Sequence, residues 1–245
     1  MMLRQKHLIL FILILLVLTT FSTKGYTGSF FDTLELSLEK NIGQNGYQSI
    51  IAQKKVIHLP EEEAAHLNAI FKSLVNTCRR KGELEFTLTV VEDKTVNAFA
   101  LPGGYIFVHT GLLSFAQTDG EVAGVLAHEI AHVDRKHSMN AIKRQIGMSL
   151  LLQLILDKNK SKEEMAKVGN FAINMSQLGY GREAEYEADR YGAYFIERAG
   201  YQKEDLLNFW RRIQGETGGK EDPLFLQLFS THPPTAERIK RIEAL

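Results

Sequence analysis

The feature that most constrains this chain is the pentapeptide His128-Glu129-Ile130-Ala131-His132, which has the pattern HExxH. On an α-helix, residues four apart lie on the same face one turn apart, so both imidazoles can bind one metal ion. Neutral imidazole is a good zinc donor, and bound zinc brings the pKa of its water near neutrality. Glu129 lies about 100° further round the helix, where it can reach that water. The pattern therefore predicts a zinc hydrolase with one zinc ion per chain.

The residues around the motif predict a buried helix. Thr118 and Glu121 have the three-residue spacing of a capping box and mark its start. Apolar residues occupy most of the remaining positions: Val122, Val125, Leu126, Ile130 and Val133. The two histidines and Glu129 therefore need partners inside the protein.

A later segment, Gly181–Arg190, offers acidic candidates for a third zinc ligand. On a helix, Glu183 and Glu187 share a charged face that is typical of a solvated surface. Glu185 lies about 200° away, on a face of small and apolar residues. Buried acids are rare unless they are paired or bound to a metal. The helical wheel therefore predicts Glu185 as the ligand, against the alternative of an ordinary acidic helix with a buried ion pair.

Asp189 lies one turn after Glu185 on the same face. From there it can accept a hydrogen bond from the non-ligating nitrogen of a zinc histidine, a contact that fixes the imidazole tautomer. We expect that histidine to be His128.

Pro60 and the acids after it predict a helix that Gly82 ends. Residues 24–58 are mixed, with a weakly helical stretch near Phe30–Leu38 and a connection at Gly43 and Gly46. Three strands are predicted next, at Glu85–Val91, Asn97–Leu101 and Tyr105–Thr110. The expected fold is α+β and zincin-like: mostly helical, with a small β-sheet against the HExxH helix.

The N-terminus has the layout of a secretory signal. Arg4 and Lys6 precede an apolar run, Leu8–Leu18, that is shorter than a spanning helix needs, and small polar residues follow it. We expect residues 1–22 to be a signal peptide, or an uncleaved anchor that would hold the chain at the membrane. Residues 23–58 would be an N-terminal extension and residues 59–245 the catalytic domain, exported to the periplasm or secreted.

Composition argues against a nucleic-acid-binding protein and against a disulfide-stabilised fold. The 29 basic residues balance the 29 acidic ones and form no basic stretch, so a nucleic-acid partner has no electrostatic support. Cys78 is the only cysteine, so no intrachain disulfide can form. The fold must depend on its apolar core and its metal.

From about residue 60 to its end, the chain resembles the HtpX/CAAX-prenyl-protease family of zinc metallopeptidases, and within it the soluble, exported, BepA-like bacterial members without their repeat domain. The matching segments are NAFALPGG (97–104), GLL (111–113), HEIAH (128–132), EYEAD (185–189), STHPP (230–234) and ERI (237–239). The resemblance implies a gluzincin-type site, with His128, His132 and Glu185 on zinc and Glu129 as general base.

The resemblance also assigns roles to His232 and Arg238 as donors that stabilise the transition state. The resemblance to BepA-like members also implies an alternative, in which the histidine equivalent to His232 coordinates zinc and keeps the enzyme latent. His58, His66, His109 and His137 show no partner pattern, so surface or structural roles are expected for them.

The strand Asn97-Ala98-Phe99-Ala100 is the predicted substrate platform, because an edge strand can pair with an extended peptide. The leading hypothesis is a zinc endopeptidase that acts on unfolded or misassembled cell-envelope proteins. The alternatives are a latent or chaperone-like binding module with its zinc site closed by His232, and a zinc hydrolase with a non-peptide substrate.

Overall fold

The computed structural model describes residues 26–156, 170, 173–174, 179–217, 222–233 and 235–245. The predicted signal segment lies outside these residues. The chain divides into two units, residues 1–38 and residues 39–245. The described part of the first unit is helical, and the second unit contains every predicted site residue.

The described part of the chain is mostly helical, with one small sheet, as predicted. Its elements are α1 (Tyr26–Gln53), α2 (Glu61–Val75), β1 (Thr87–Val91), β2 (Ala98–Ala100), β3 (Tyr105–His109), α3 (Thr110–Phe115), α4 (Asp119–Asp134), α5 (His137–Leu156), α6 (Arg182–Arg198), α7 (Lys203–Thr217), α8 (Leu226–Thr231) and α9 (Ala236–Glu243). A 3₁₀ turn, Pro102–Gly104, joins β2 to β3.

Helix α1 is longer than the sequence predicts. It continues through Gly43 and Gly46, where a connection was expected. The prediction of a break was wrong because Gly43 has a packing role: a Cβ there would collide with the carbonyl oxygen of Pro102. The missing side chain lets the helix and the 3₁₀ turn approach closely.

Helix α2 ends at Val75, earlier than the predicted stop at Gly82. The chain turns there because a carboxylate from another helix binds its backbone. The Oδ1 atom of Asp134 accepts hydrogen bonds from the backbone N–H of Arg79 (2.9 Å) and of Arg80 (3.2 Å). The end of α2 is thereby attached to the end of α4.

The sheet has the strand order β1-β3-β2. Strand β1 pairs with β3 in parallel, and β2 pairs with β3 antiparallel, with Phe99 opposite Phe107. Strand β2 is therefore an edge strand, and it packs against α4. The predicted placement of the sheet against the HExxH helix is confirmed.

Helix α4 lies at the centre of the second unit, and nearly every residue in it is buried. Its start is capped as predicted by Thr118, whose hydroxyl accepts a bond from the Glu121 amide (3.2 Å). Helix α6 packs closely against it at Gly192, where a Cβ would lie 3.2 Å from the His128 amide nitrogen. This close approach brings the acidic residues of α6 to the HExxH histidines.

Within the described ranges, no helix combines the length and the apolar character that a bilayer span requires.

Candidate metal centre and active site

Four buried side chains converge where α4, α6 and the end of α8 meet. They are His128, His132, Glu185 and His232, and one donor atom of each lies within 4.8 Å of the others. The Nε2 atom of His128 lies 3.0 Å from Nε2 of His132 and 3.3 Å from Nδ1 of His232. The Glu185 oxygens lie 3.4 Å from Nε2 of His128 and of His132, and 3.1 Å from Nδ1 of His232.

This donor set fits a zinc ion. Four donors at zinc–ligand distances of about 2.0–2.1 Å in a tetrahedron lie about 3.3 Å from one another. The separations that involve a donor atom of His128 or of Glu185 run from 3.0 to 3.4 Å, close to that spacing. Two imidazole lone pairs that face each other at such a distance repel unless a cation or a proton lies between them.

Asp189 lies where the helical wheel puts it, behind His128. Its Oδ1 atom is 3.0 Å from Nδ1 of His128, the nitrogen that points away from the other donors. Burial disfavours the charged imidazole, but Asp189 and Glu185 outweigh that effect and raise the pKa of His128 to about 9. Since a metal binds only the neutral imidazole, metal binding and protonation would compete at this histidine.

Arg238 lies beside Asp189 and Glu185, not at an open substrate position. Its Nε and Nη2 atoms each donate to Asp189 at 2.7 Å, and Nη1 lies 2.9 Å from Oε2 of Glu185. The guanidinium also covers the ring of Trp210, 4.5 Å from its centroid. The arginine is only 2% exposed. This arrangement suits a residue that positions carboxylates better than the predicted donor to a transition state.

Glu129 is buried beside the four donors. Its Oε1 atom lies 3.4 Å from Nε2 of His232, and its Oε2 atom has no hydrogen-bond partner among the described residues. Burial raises the pKa of this carboxyl, although the neighbouring His232 opposes the shift. A carboxylate with a raised pKa and an unused oxygen is suited to accept a proton.

His232 follows the last turn of α8, and its amide donates to the carbonyl of Leu228 at 2.7 Å. The imidazole lies between two acids: Nδ1 faces Glu185 and Nε2 faces Glu129. The structure thus brings Nδ1 among the metal donors, at the fourth position of the set.

Three residues that the motifs did not indicate complete the surroundings of His132. His137 is buried, and its Nδ1 atom lies 2.9 Å from Nδ1 of His132. The Tyr180 ring stacks on His132 with centroids 4.0 Å apart, and its hydroxyl bonds Ser138 at 2.6 Å. Helical periodicity could not reveal these contacts, because the chain leaves α4 after Asp134 and Lys136 has a positive φ of 57°.

The predicted substrate strand lies at the sheet edge, but its side chains are part of the core. Asn97, Ala98, Phe99 and Ala100 are all buried. The Phe99 ring stacks on Phe107 with centroids 5.1 Å apart. In this antiparallel register, the peptide groups of Asn97 and Phe99 point toward β3, and those of Ala98 and Ala100 point away from it. Both alanines are only 1% exposed, and at the same edge the Val96 amide donates to the carbonyl of Leu224 at 2.8 Å.

The chain is similar to known metallopeptidases. The sequence model of peptidase family M48 matches residues 61–245. The chain is 29% identical over 218 residues to the mitochondrial metalloendopeptidase OMA1 of Schizosaccharomyces pombe, covering 87% of this chain and 62% of that protein. It is 33% identical over 173 residues to a putative beta-barrel assembly-enhancing protease of Vibrio cholerae (63% of this chain, 33% of that protein). It is also 25% identical over 215 residues to metalloprotease YcaL of Escherichia coli (86% and 80%).

Proposed function

We propose, because this chain belongs to peptidase family M48, that it is a zinc metalloendopeptidase whose centre is held by His128, His132 and Glu185. Membership confirms the family predicted from the sequence motifs. The observation that carries the proposal is the buried donor cluster beside Glu129. A purely structural zinc site needs no carboxylate in that position.

The chemistry follows from the positions of these side chains. A zinc ion bound here would lower the pKa of an attacking water and polarise the scissile carbonyl. Glu129 would accept a proton from the water as the C–O bond forms. It would then give that proton to the leaving amide nitrogen as the peptide C–N bond breaks. Asp189 would hold His128 with its Nε2 lone pair toward the centre.

The substrate is proposed to be an extended peptide that adds to the edge of β2 opposite β3, which is covered in this structure. The outward peptide groups of Ala98 and Ala100 support this, since they could form main-chain hydrogen bonds to a new strand once that edge is uncovered. The packing of β2 on α4 supports it as well, because a peptide at this edge would run beside the HExxH helix. Such binding selects unfolded chains, whose backbone is free to pair.

A more specific proposal is that these substrates are unfolded or misassembled proteins of the cell envelope, which the protein cleaves as part of protein quality control. It rests on the signal-like residues 1–22 and on the likeness to a relative named for enhancing beta-barrel assembly. Another relative is named as mitochondrial, so the compartment differs among the proteins that the chain resembles. The chain spans 33% to 62% of those two relatives, and their activities are carried over here as proposals.

A second candidate function is a latent or chaperone-like protein whose zinc site is closed by His232. The observation that favours it is the proximity of His232 Nδ1 to Glu185 and to His128. An imidazole at the fourth zinc position would leave no place for the water. Latency would then depend on whether His232 stays on the metal.

One experiment tests both candidates. The zinc-loaded protein is incubated with casein and with an unfolded outer-membrane protein, beside the variants Glu129→Gln and His232→Ala. Cleavage by the wild type that Glu129→Gln abolishes is expected for the endopeptidase. Cleavage that increases in His232→Ala supports the closed, latent form, whereas a decrease supports stabilisation of the transition state. If neither the wild type nor His232→Ala cleaves either substrate with zinc bound, the endopeptidase proposal is wrong.

A further inference from the structure

We propose that His137 and Glu187 orient His132 and fix its tautomer, and thereby set the affinity of the centre for zinc. The inference rests on the proposed zinc site and concerns two residues outside it. Neither residue is part of the HExxH motif, and the sequence alone favours a surface position for Glu187.

The contacts form a continuous series from the centre to the surface. Nε2 of His132 faces the other donors, and its Nδ1 lies 2.9 Å from Nδ1 of His137. Nε2 of His137 lies 3.1 Å from Oε2 of Glu187. The other oxygen of Glu187 accepts a bond from Nε of Arg135 at 2.8 Å.

If both imidazoles are neutral, their ring hydrogens can be placed in only one way along this series. A carboxylate oxygen only accepts hydrogen bonds, so Nε2 of His137 carries the hydrogen that Glu187 accepts. Nδ1 of His137 then has a lone pair and accepts the Nδ1–H of His132. Nε2 of His132 is left with its lone pair directed at the proposed metal position. Glu187 thus determines, through His137, which nitrogen of His132 can bind zinc.

Burial and stacking keep this arrangement in place. His137 is 5% exposed and His132 is 0% exposed, so water does not compete for the bond between them. The Tyr180 ring lies nearly parallel to the His132 ring, with an interplanar angle of 20°. The stacked ring limits rotation of the imidazole about its Cβ–Cγ bond.

The two histidines of the HExxH motif are therefore supported in comparable ways. His128 contacts Asp189 directly, and Arg238 binds that carboxylate. His132 contacts Glu187 through His137, and Arg135 binds that carboxylate. In both cases a carboxylate of α6 paired with an arginine lies behind a zinc histidine.

The test measures zinc affinity by competition with a chromophoric chelator, without reference to proteolysis. His137→Leu removes the acceptor while keeping an apolar body, and should weaken zinc binding by roughly 10- to 100-fold, the usual effect of losing a partner behind a ligand. His137→Asn keeps an acceptor oxygen near the position of Nδ1 and should restore most of the affinity. Glu187→Leu should also weaken binding, and Glu183→Leu, an exposed acid one turn earlier on α6, should not.

The outcomes separate this inference from the proposed function. A wild-type protein that does not bind zinc would refute the zinc site itself. Wild-type affinity in His137→Leu and Glu187→Leu, with zinc bound by the wild type, would refute the role of the pair. Equal loss in His137→Leu and His137→Asn would show that the hydrogen-bond acceptor is irrelevant. Thermal unfolding of the metal-free variants shows whether they fold. If His137→Leu does not fold, the zinc affinities of Glu187→Leu, at a partly exposed position, and of His137→Asn decide the question.

Discussion

The Nδ1 atom of His232 lies 3.1 Å from Oε1 of Glu185, the acid proposed as the third zinc ligand. If Nδ1 is also a donor to the metal, His232→Ala should weaken zinc binding by roughly tenfold or more, since even contacts behind the ligands have effects of that size. Chelator competition measures this change. His66→Ala, an exposed histidine on α2, is the control and should bind zinc as the wild type does. Unchanged affinity in His232→Ala would show that the imidazole is not a ligand.

Replacement of Glu129 by glutamine should separate metal binding from catalysis. The amide is nearly the same size but cannot accept a proton, so kcat on an unfolded substrate should fall by roughly 10²- to 10⁴-fold. Zinc content should stay at one ion per chain by elemental analysis, because the carboxylate is not in the donor set. A variant that loses zinc along with activity would contradict the proposed division of roles.

Arg238→Leu should be strongly destabilising. The substitution leaves the Asp189 carboxylate buried without the guanidinium that binds it at two points, and such a loss costs about 3–5 kcal/mol in the free energy of unfolding. Urea denaturation of the metal-free protein measures the change. Arg241→Leu, which removes an exposed arginine on the same helix, should change that free energy by less than about 1 kcal/mol. Similar losses for the two variants would argue against a special role for Arg238.

Two glycines in helices should respond to alanine in opposite directions. Gly43→Ala places a methyl group against the Pro102 carbonyl and should destabilise the protein by about 1–3 kcal/mol. Gly215 lies in α7 with no atom within 4 Å of its Cβ position, so Gly215→Ala should stabilise by up to about 1 kcal/mol through helix propensity. Thermal denaturation of both variants provides the comparison. Equal stabilisation by both would mean that α1 does not approach the 3₁₀ turn so closely.

His109 should make the fold sensitive to acid. Burial lowers its pKa to about 4, against the opposing effect of Asp93, from an ordinary value near 6.5. Between these pH values His109 binds a proton in the unfolded chain but not in the folded protein, so the free energy of unfolding falls as the pH falls. The loss approaches about 3 kcal/mol near pH 4. Denaturant titrations at a series of pH values give the free energy of unfolding as a function of pH. Between pH 6.5 and pH 4 this free energy should fall more steeply for the wild type than for His109→Gln. The same pH dependence in both proteins would contradict the assignment.

Cys78 should be inert in the folded protein. Burial raises the pKa of its thiol, and the Asp134 carboxylate, 3.1 Å from Sγ, raises it further. Because the thiolate is the reactive form, an alkylating reagent should label the native protein far more slowly than the urea-unfolded chain. Mass spectrometry over time measures both rates.

The parts of the site that the sequence could predict are those set by local geometry. Spacing along one helix places His128 beside His132, and spacing along another turns Glu185 away from Glu183. Such periodicity holds wherever the helix is packed.

The other features depend on contacts between distant segments. His137 follows a turn with a positive φ at Lys136, so no helical period connects it to His132. Glu187 is only partly exposed because His137 and Arg135 bind it, which a wheel drawn for one helix cannot show. The continuity of α1 at Gly43 likewise depends on Pro102, a residue of another element.

Helix α6 carries the proposed ligand Glu185 and, at alternate positions, both carboxylates that support the HExxH histidines, Glu187 and Asp189. A rotation or a local unfolding of this one helix would remove a ligand and release both imidazoles at the same moment. Departure of α6 from the core would therefore release the metal and undo both supports in one step. A state in which α6 has left the core would not retain zinc by the histidines of α4 alone.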